Sequence, residues 1–476
     1  MQNEVVKEIL KEVDKHPEIM SRRDVLKYLA LSPLATSINA SMTATKGEFQ
    51  ASNAKEKIVI VGGGLAGIST AARLKNTLDN PDITIIEPEP LSASYQSGLT
   101  LVAAGLWSIH EIQYRRDDKI PHGVKLIKGR ATTFDPKNNK LTVDDKEQIE
   151  YDQLIIATGI TLNYSAIKGL TGEVTSFAKN TNVLKKSGLT KNGLHSIFFQ
   201  DGASATWDGI KELIQKAKIH TSTTKLQAIF THPNTDIKCE SASKSIMYLT
   251  HSRLVEAGVR DKVEMIFNTD ADTMHDVTEF HNAIRTQFKR RNFTYNYTYN
   301  LIELDVINKV ATFDKHPHEA KHEKIEVSYD FIHITPPMKV HDEIAHSSLG
   351  SQKGFIPVNR ETLQHLKFDN VWSLGDVASI PLGKSSASVT SQHKVLVDNI
   401  IAHMQKKDSL PAKYTGYTLC PFITSVGTAM LAEYDWEMKP KPSFPLSPTQ
   451  ERWIWWLMEI YVLKTITISG IMKGYA

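Results

Sequence analysis

Cysteine is scarce: the 476 residues hold two, Cys239 and Cys420. That excludes a disulfide framework and any zinc site built from four cysteines, but it leaves room for a redox thiol. Charge of one sign is scarce too. Lys and Arg number 56 against 53 Asp and Glu, a net charge of +3. With no long basic run, a nucleic-acid footprint is excluded. The two most apolar stretches, 28–40 and 451–475, each fall short of the roughly 18 uncharged residues of a spanning helix. Metal-ligand spacing is absent as well. His318 to His322 spells H-E-x-x-H, but inside a charged connection between two strand-like runs, with no third ligand in view. The hydrophobic share, 41%, is ordinary, and the length suits two or three domains.

A dinucleotide site opens the globular part of the chain. Ile58 to Val61 form a short buried strand, and Gly62, Gly64 and Gly67 give G-x-G-x-x-G before a helical pattern. The first glycine permits a tight turn, the second lets the backbone approach a pyrophosphate, and the third lets the helix pack on the sheet. The helix amino terminus then faces the phosphates. A second strand ends in Glu87, about 20 residues after Gly67, where a carboxylate can accept from a ribose hydroxyl. Two later strand ends, Thr158-Gly159 and Gly375-Asp376, resemble paired elements of the two-dinucleotide-binding flavoproteins. In that resemblance the cofactor is FAD, Asp376 accepts from its ribityl chain, and the FAD domain is split into 57–165 and 340–430.

Glycine is missing where a second dinucleotide would need it. In the inserted domain, 166–339, the turn is Pro233-Asn234-Thr235-Asp236, too bulky for close approach to a pyrophosphate. A nicotinamide donor is therefore not expected. A helix is expected to start near Cys239. The helix dipole, Lys238 and Lys244 favour its thiolate, while Asp236 and Glu240 oppose it. An inert thiol at a helix start is the alternative.

Several stretches, in order, resemble sulfide:quinone oxidoreductases, the mitochondrial-type branch most closely. They are the 62–67 turn, 95–107, 233–239, 246–250, 266–269, 334–338, 374–389 and 414–422. The fold implied is α/β, a tandem Rossmann-like two-dinucleotide-binding flavoprotein with a C-terminal membrane-docking segment, 431–476. The resemblance implies that two cysteines beside the flavin carry sulfide sulfur, that FAD takes two electrons, and that membrane quinone removes them. Cys239 matches one cysteine. Val377 stands where the other is expected, in Gly375-Asp376-Val377. By the same resemblance Cys420 matches a cysteine that the family does not use for catalysis, and it is read as a small core residue. Lys384 matches a lysine near the flavin, and Phe422 and Ile423 match residues lining the quinone pocket.

The chain's two ends point to a membrane face. Arg22-Arg23, an apolar stretch and small residues before a cut site after Ala40 resemble a twin-arginine export signal, 1–40, followed by a polar linker, 41–56. The implied location is the periplasmic face of the cytoplasmic membrane; a retained amphipathic helix is the alternative. Trp453, Trp455, Trp456 and Tyr461, interrupted by Glu459, Lys464 and Lys473, suit a helix lying in the interface plane, with core packing or a dimer contact as the alternative. Two other functions stay open. One is a soluble flavoprotein passing electrons to a cytochrome, as flavocytochrome c sulfide dehydrogenases do. The other is a non-catalytic sulfur-binding protein that retains FAD.

Overall fold

Runs of β-branched and aliphatic residues build two parallel sheets, and everything else is arranged to cover their faces. The computed structural model describes residues 2–15, 56–170, 173–174, 192–316, 322–382 and 384–475. In chain order the sheet strands are β1 (Lys57–Val61), β2 (Asp82–Glu87), β3 (Lys125–Lys128), β4 (Gln153–Ile156), β5 (Leu194–His195), β6 (Leu226–His232), β7 (Val263–Thr269), β8 (Thr294–Asn296), β9 (Phe331–His333) and β10 (Val371–Ser373). The first sheet runs β10-β4-β1-β2-β3, and the second β5-β9-β6-β7-β8. Every pairing is parallel; Ile60 lies opposite Ile85 on one side and Ile155 on the other. All three are fully buried, as central strands covered on both faces must be. The chain leaves the first sheet after β4 and returns to it at β10.

Helices complete the layers: α1 (Gln2–Lys15), α2 (Leu65–Thr77), α3 (Gln200–Ile219), α4 (Ala242–Glu256), α5 (Thr278–Arg290) and α6 (Ser386–Met404). A hairpin follows, β11 (Thr418–Ser425) antiparallel to β12 (Thr428–Tyr434). It lies across α4, where Ser245 Oγ accepts from the backbone N–H of Ile423 at 3.1 Å. The tail then runs as one helical path from Trp453 to Lys473, loosened by a π-turn over Met458–Val462.

Here the structure shows what one side of the tail packs against. By length and composition this path could cross a membrane, with mean hydropathy 1.3, yet 61% of its apolar window lies inside the protein. Trp453, Trp455 and Trp456 are buried, packed with Phe444, Ile423, Ala429 and Leu431 rather than turned outward. The tail's end reaches α2, where Asn76 Nδ2 donates to the carbonyl of Lys473 at 3.0 Å. Helix α1 packs on the same cluster through Ile9 and Val13. The arginine pair, the cut site and the linker to residue 55 lie outside the described residues. So do His318 to Lys321; the strands Val310–Lys315 and Glu323–Ser328 flanking them pair antiparallel.

Candidate active site

A cavity of about 630 Å³ runs from the glycine turn to both cysteines. At one end Gly62 has φ +109°, and a Cβ there would lie 2.5 Å from the carbonyl oxygen of Ala157. A Cβ on Gly67 would come within 1.9 Å of the Gly62 oxygen, so this residue lets α2 seat on the sheet. Gly64 faces open space and caps α2 without a side-chain bond, leaving the first N–H groups of the helix for an anion. Glu87 accepts from the Gly63 N–H at 2.8 Å, from the Glu89 N–H at 2.8 Å and from Arg116. A carboxylate has about four acceptor sites. Three are used to fix its direction, and one remains for a hydroxyl in the cavity.

Further along lie Thr158, Gly159, Gly375, Asp376 and Lys384. Thr158 Oγ1 is buried with no hydrogen-bond partner among the described residues. Burial holds the Asp376 carboxyl above the usual range, against the pull of Lys384 and Lys238. Burial also lowers Lys384, whose Nζ donates to the Asp376 carbonyl at 2.9 Å and lies 3.9 Å from Asp236. An unsatisfied hydroxyl, a buried carboxyl and a bare glycine-lined helix end fit an extended polar dinucleotide such as FAD.

The structure brings the two cysteines together. Cys420, read as a core residue, lines the same cavity as Cys239. Its thiol lies 3.0 Å from Ser241 Oγ, and Cys239 Sγ lies 3.8 Å from that same oxygen. The hydrogen bond from Cys420 is the main influence lowering the Cys239 thiol; burial opposes it and Ser241 assists. The same bond and burial push Cys420 well up. Cys239 is thus the more acidic thiol of the pair. The expected helix dipole plays a smaller part, since α4 begins only at Ala242 and Cys239 precedes it with φ +56°. Lys244 pairs with Glu240 at 3.5 Å. Lys238 does face it, with Nζ donating to Gln96 Oε1 at 2.9 Å and its own pKa lowered to about 8 by burial.

Three other expected positions fall elsewhere. Val377 is fully buried beneath the cavity and outside its lining, because the turn Gly375–Val377 aims its carbonyl at the Ile356 N–H and its side chain into the core. Phe422 is fully buried beside Lys244 and His275, and Ile423 packs in the tail cluster. Cys420 and Phe422 share one face of β11; Cys420 reaches the cavity, and Phe422, one pleat further along, is covered by Lys244 and His275. The apolar wall next to the cysteines comes instead from Leu419, Pro421, Leu463, Ile466, Ile468 and Ile471. In the second sheet the loop after β6 is stapled by Thr235 Oγ1, which accepts from the Met338 N–H at 3.0 Å. Glu240 stands before the first turn of α4, where a pyrophosphate would need positive potential.

Comparison with known proteins places this geometry. The pyridine nucleotide-disulphide oxidoreductase family model matches residues 56–194. The mitochondrial sulfide:quinone oxidoreductase of Dictyostelium discoideum is 34% identical over 465 residues, covering 95% of this chain and 96% of the relative. The chain belongs to the sulfide:quinone oxidoreductase family. The mouse mitochondrial sulfide:quinone oxidoreductase is 30% identical, covering 88% and 87%. The solved sulfide:quinone oxidoreductase of Aquifex aeolicus superposes with a TM-score of 0.67 at 18% identity, over 87% of this chain and 92% of that one, which shows the shared fold. Family membership makes the chain a flavoprotein oxidoreductase and FAD the group for the glycine-lined cavity.

Proposed function

We propose that this enzyme oxidises sulfide to sulfane sulfur on the Cys239–Cys420 pair and delivers the electrons to a membrane quinone. The observation that carries the reading is the shared Ser241 contact of two cysteines on one cavity wall. In the working cycle the oxidised pair is a disulfide. Attack by sulfide on one sulfur makes a persulfide there and releases the other as a thiolate. The thiol with the lower pKa leaves faster, so Cys239 leaves and Cys420 carries the persulfide. FAD, when bound, supplies two-electron redox chemistry between the pair and the acceptor. Gly62, Gly64 and α2 would hold its pyrophosphate, Glu87 its ribose, Asp376 its ribityl chain, and Lys384 would favour negative charge nearby. Overall HS⁻ gives up two electrons, and quinone takes two electrons and two protons, so one proton is consumed per turnover.

The apolar wall from the tail and from Leu419 and Pro421 supports a quinone site, and partly exposed tail residues such as Ile460 and Tyr461 support contact with a membrane surface. Export to the periplasmic face is a proposal of the same rank. Arg22-Arg23 favours it, while the packing of α1 on the tail favours a retained amino terminus. Anaerobic titration tests the function. Sulfide should bleach the flavin, a short-chain quinone should restore it, and NADH should leave it oxidised because the 233–236 loop has no glycine. Bleaching by NADH but not by sulfide would refute the proposal.

A further inference from the structure

Both cysteines line the cavity, so access alone does not decide which sulfur sulfide attacks. A neighbour must make the two unlike. Among the described residues Ser241 is in hydrogen-bonding contact with both thiols, and it is 2% exposed. A serine before a helix ordinarily turns its hydroxyl to the free N–H groups of the first turn. Ser241 precedes α4 but makes no such bond, and its backbone is already helical, with φ −68° and ψ −21°. The hydroxyl is committed to the thiols instead. The groups around it are held in place. The Ser241 carbonyl accepts from the N–H groups of Lys244 and Ser245 at 3.1 and 2.8 Å. One turn on, Ser245 holds β11 through Ile423, which keeps Cys420 beside Ser241. The Cys239 N–H donates to the Lys384 carbonyl at 3.2 Å, and the Cys239 carbonyl accepts from Ala242 at 2.9 Å.

We propose that the Ser241 hydroxyl makes Cys239 the leaving sulfur and so directs the sulfane sulfur to Cys420. The inference rests on the Cys239–Cys420 assignment. A hydroxyl has one proton to donate and two lone pairs that accept. Cys420 Sγ donates to Ser241 Oγ at 3.0 Å, which uses a lone pair and leaves the O–H for Cys239 Sγ at 3.8 Å. That second contact is loose between neutral groups, and a charged sulfur draws a donor closer. It therefore strengthens as charge develops, which is the condition for speeding the step. Sulfide, as HS⁻, forms a bond to Cys420 Sγ, and the bond between Cys420 and Cys239 breaks with its electron pair on Cys239. The sulfide sulfur is oxidised to sulfane sulfur, and the disulfide is reduced by two electrons. The negative charge moves from sulfide to Cys239, the proton of HS⁻ stays on the persulfide, and Ser241 keeps its own. A hydrogen bond to the charged form favours that form, and the thiol of lower pKa leaves faster. After Cys420, Ser241 is the hydrogen-bonding neighbour that lowers the Cys239 thiol. The bond between the two thiols is absent from the disulfide, so Ser241 remains to tell the sulfurs apart. The other titratable groups bearing on Cys239 are Lys238 beside it, Tyr95 in the cavity wall and Glu459 in the tail; all stay in place when residue 241 is changed.

Two measurements on the FAD-loaded enzyme test this. In the first, the reduced enzyme is alkylated with iodoacetamide across a pH series, and Cys239 is followed by peptide mass spectrometry. Ser241→Ala should move the Cys239 midpoint up by roughly one pH unit, the loss of one hydrogen bond to the thiolate. In the second, oxidised enzyme meets a single equivalent of sulfide without a sulfur acceptor, and the persulfide is trapped and located. Wild type should carry it on Cys420 in at least about tenfold excess over Cys239, and Ser241→Ala should bring the two within about threefold, as their leaving abilities converge. Ser241→Gly also lacks the hydroxyl and suits a helix start, so it carries both measurements if the Ala variant loses flavin. Ser241→Thr keeps a hydroxyl and should restore both wild-type results, which separates the hydroxyl from packing. An unchanged Cys239 midpoint in the hydroxyl-free variants, or a persulfide still confined to Cys420, overturns the proposal. Persulfide on neither cysteine while sulfide still bleaches the flavin would instead overturn the pair on which it rests.

Discussion

Cys420→Ser should reduce sulfide-driven bleaching of the flavin by at least about 10³-fold, as removal of a reacting nucleophile does. Cys239→Ser should do the same. Both serines fit beside Ser241, so FAD content and thermal stability should match wild type, which the ratio of flavin to protein absorbance checks. Val377→Cys is the matching control. Residue 377 is fully buried and outside the cavity, so a thiol there cannot meet sulfide. Val and Cys are close in volume, and the bleaching rate should stay within about twofold, since such a swap costs little packing. A Cys420→Ser enzyme near the wild-type rate, together with acceleration by Val377→Cys, would transfer the second sulfur site from β11 to the Gly375 turn.

What could be read in the sequence follows the range of the forces involved. The glycine turn is a local backbone requirement: Gly62 needs positive φ and Gly67 needs close approach, and neighbours in sequence impose both. The loss of glycine at 233–236 was legible for the same reason. The partner of Cys239 was not. Cys420 reaches it only because β11 is laid across α4 by the Ser245–Ile423 bond, a tertiary contact with no local signal. The tail was legible only in part, because an amphipathic, tryptophan-rich pattern is common to helices on membranes and helices packed into proteins. Composition records the apolar face, and only the fold decides what covers it.

Ending the chain at Arg452 should therefore yield protein that is insoluble or free of FAD, rather than an intact enzyme released from membranes. The tail buries Trp453, Ile454, Trp455, Trp456, Leu457, Met458, Val462, Ile466, Ile471 and Met472. Each such side chain contributes about 1.5–3 kcal/mol on burial, offset in part by the ordering entropy that the shorter chain no longer loses. The net stability of a domain is about 5–15 kcal/mol, so a few of these residues rival the whole. Truncation would also strip the face they cover, Leu101, Leu249, Ile423 and Leu431. It would open the cavity along Leu463, Ile466 and Ile471, and release α2 at the Asn76–Lys473 bond. That helix presents its amino terminus to the pyrophosphate site, so loosening its far end reaches FAD retention directly. Flavin-to-protein absorbance after purification is the measurement. A truncated chain that is soluble, fully loaded with FAD and deficient only in membrane binding would show that the tail is a detachable anchor, not a wall of the active site.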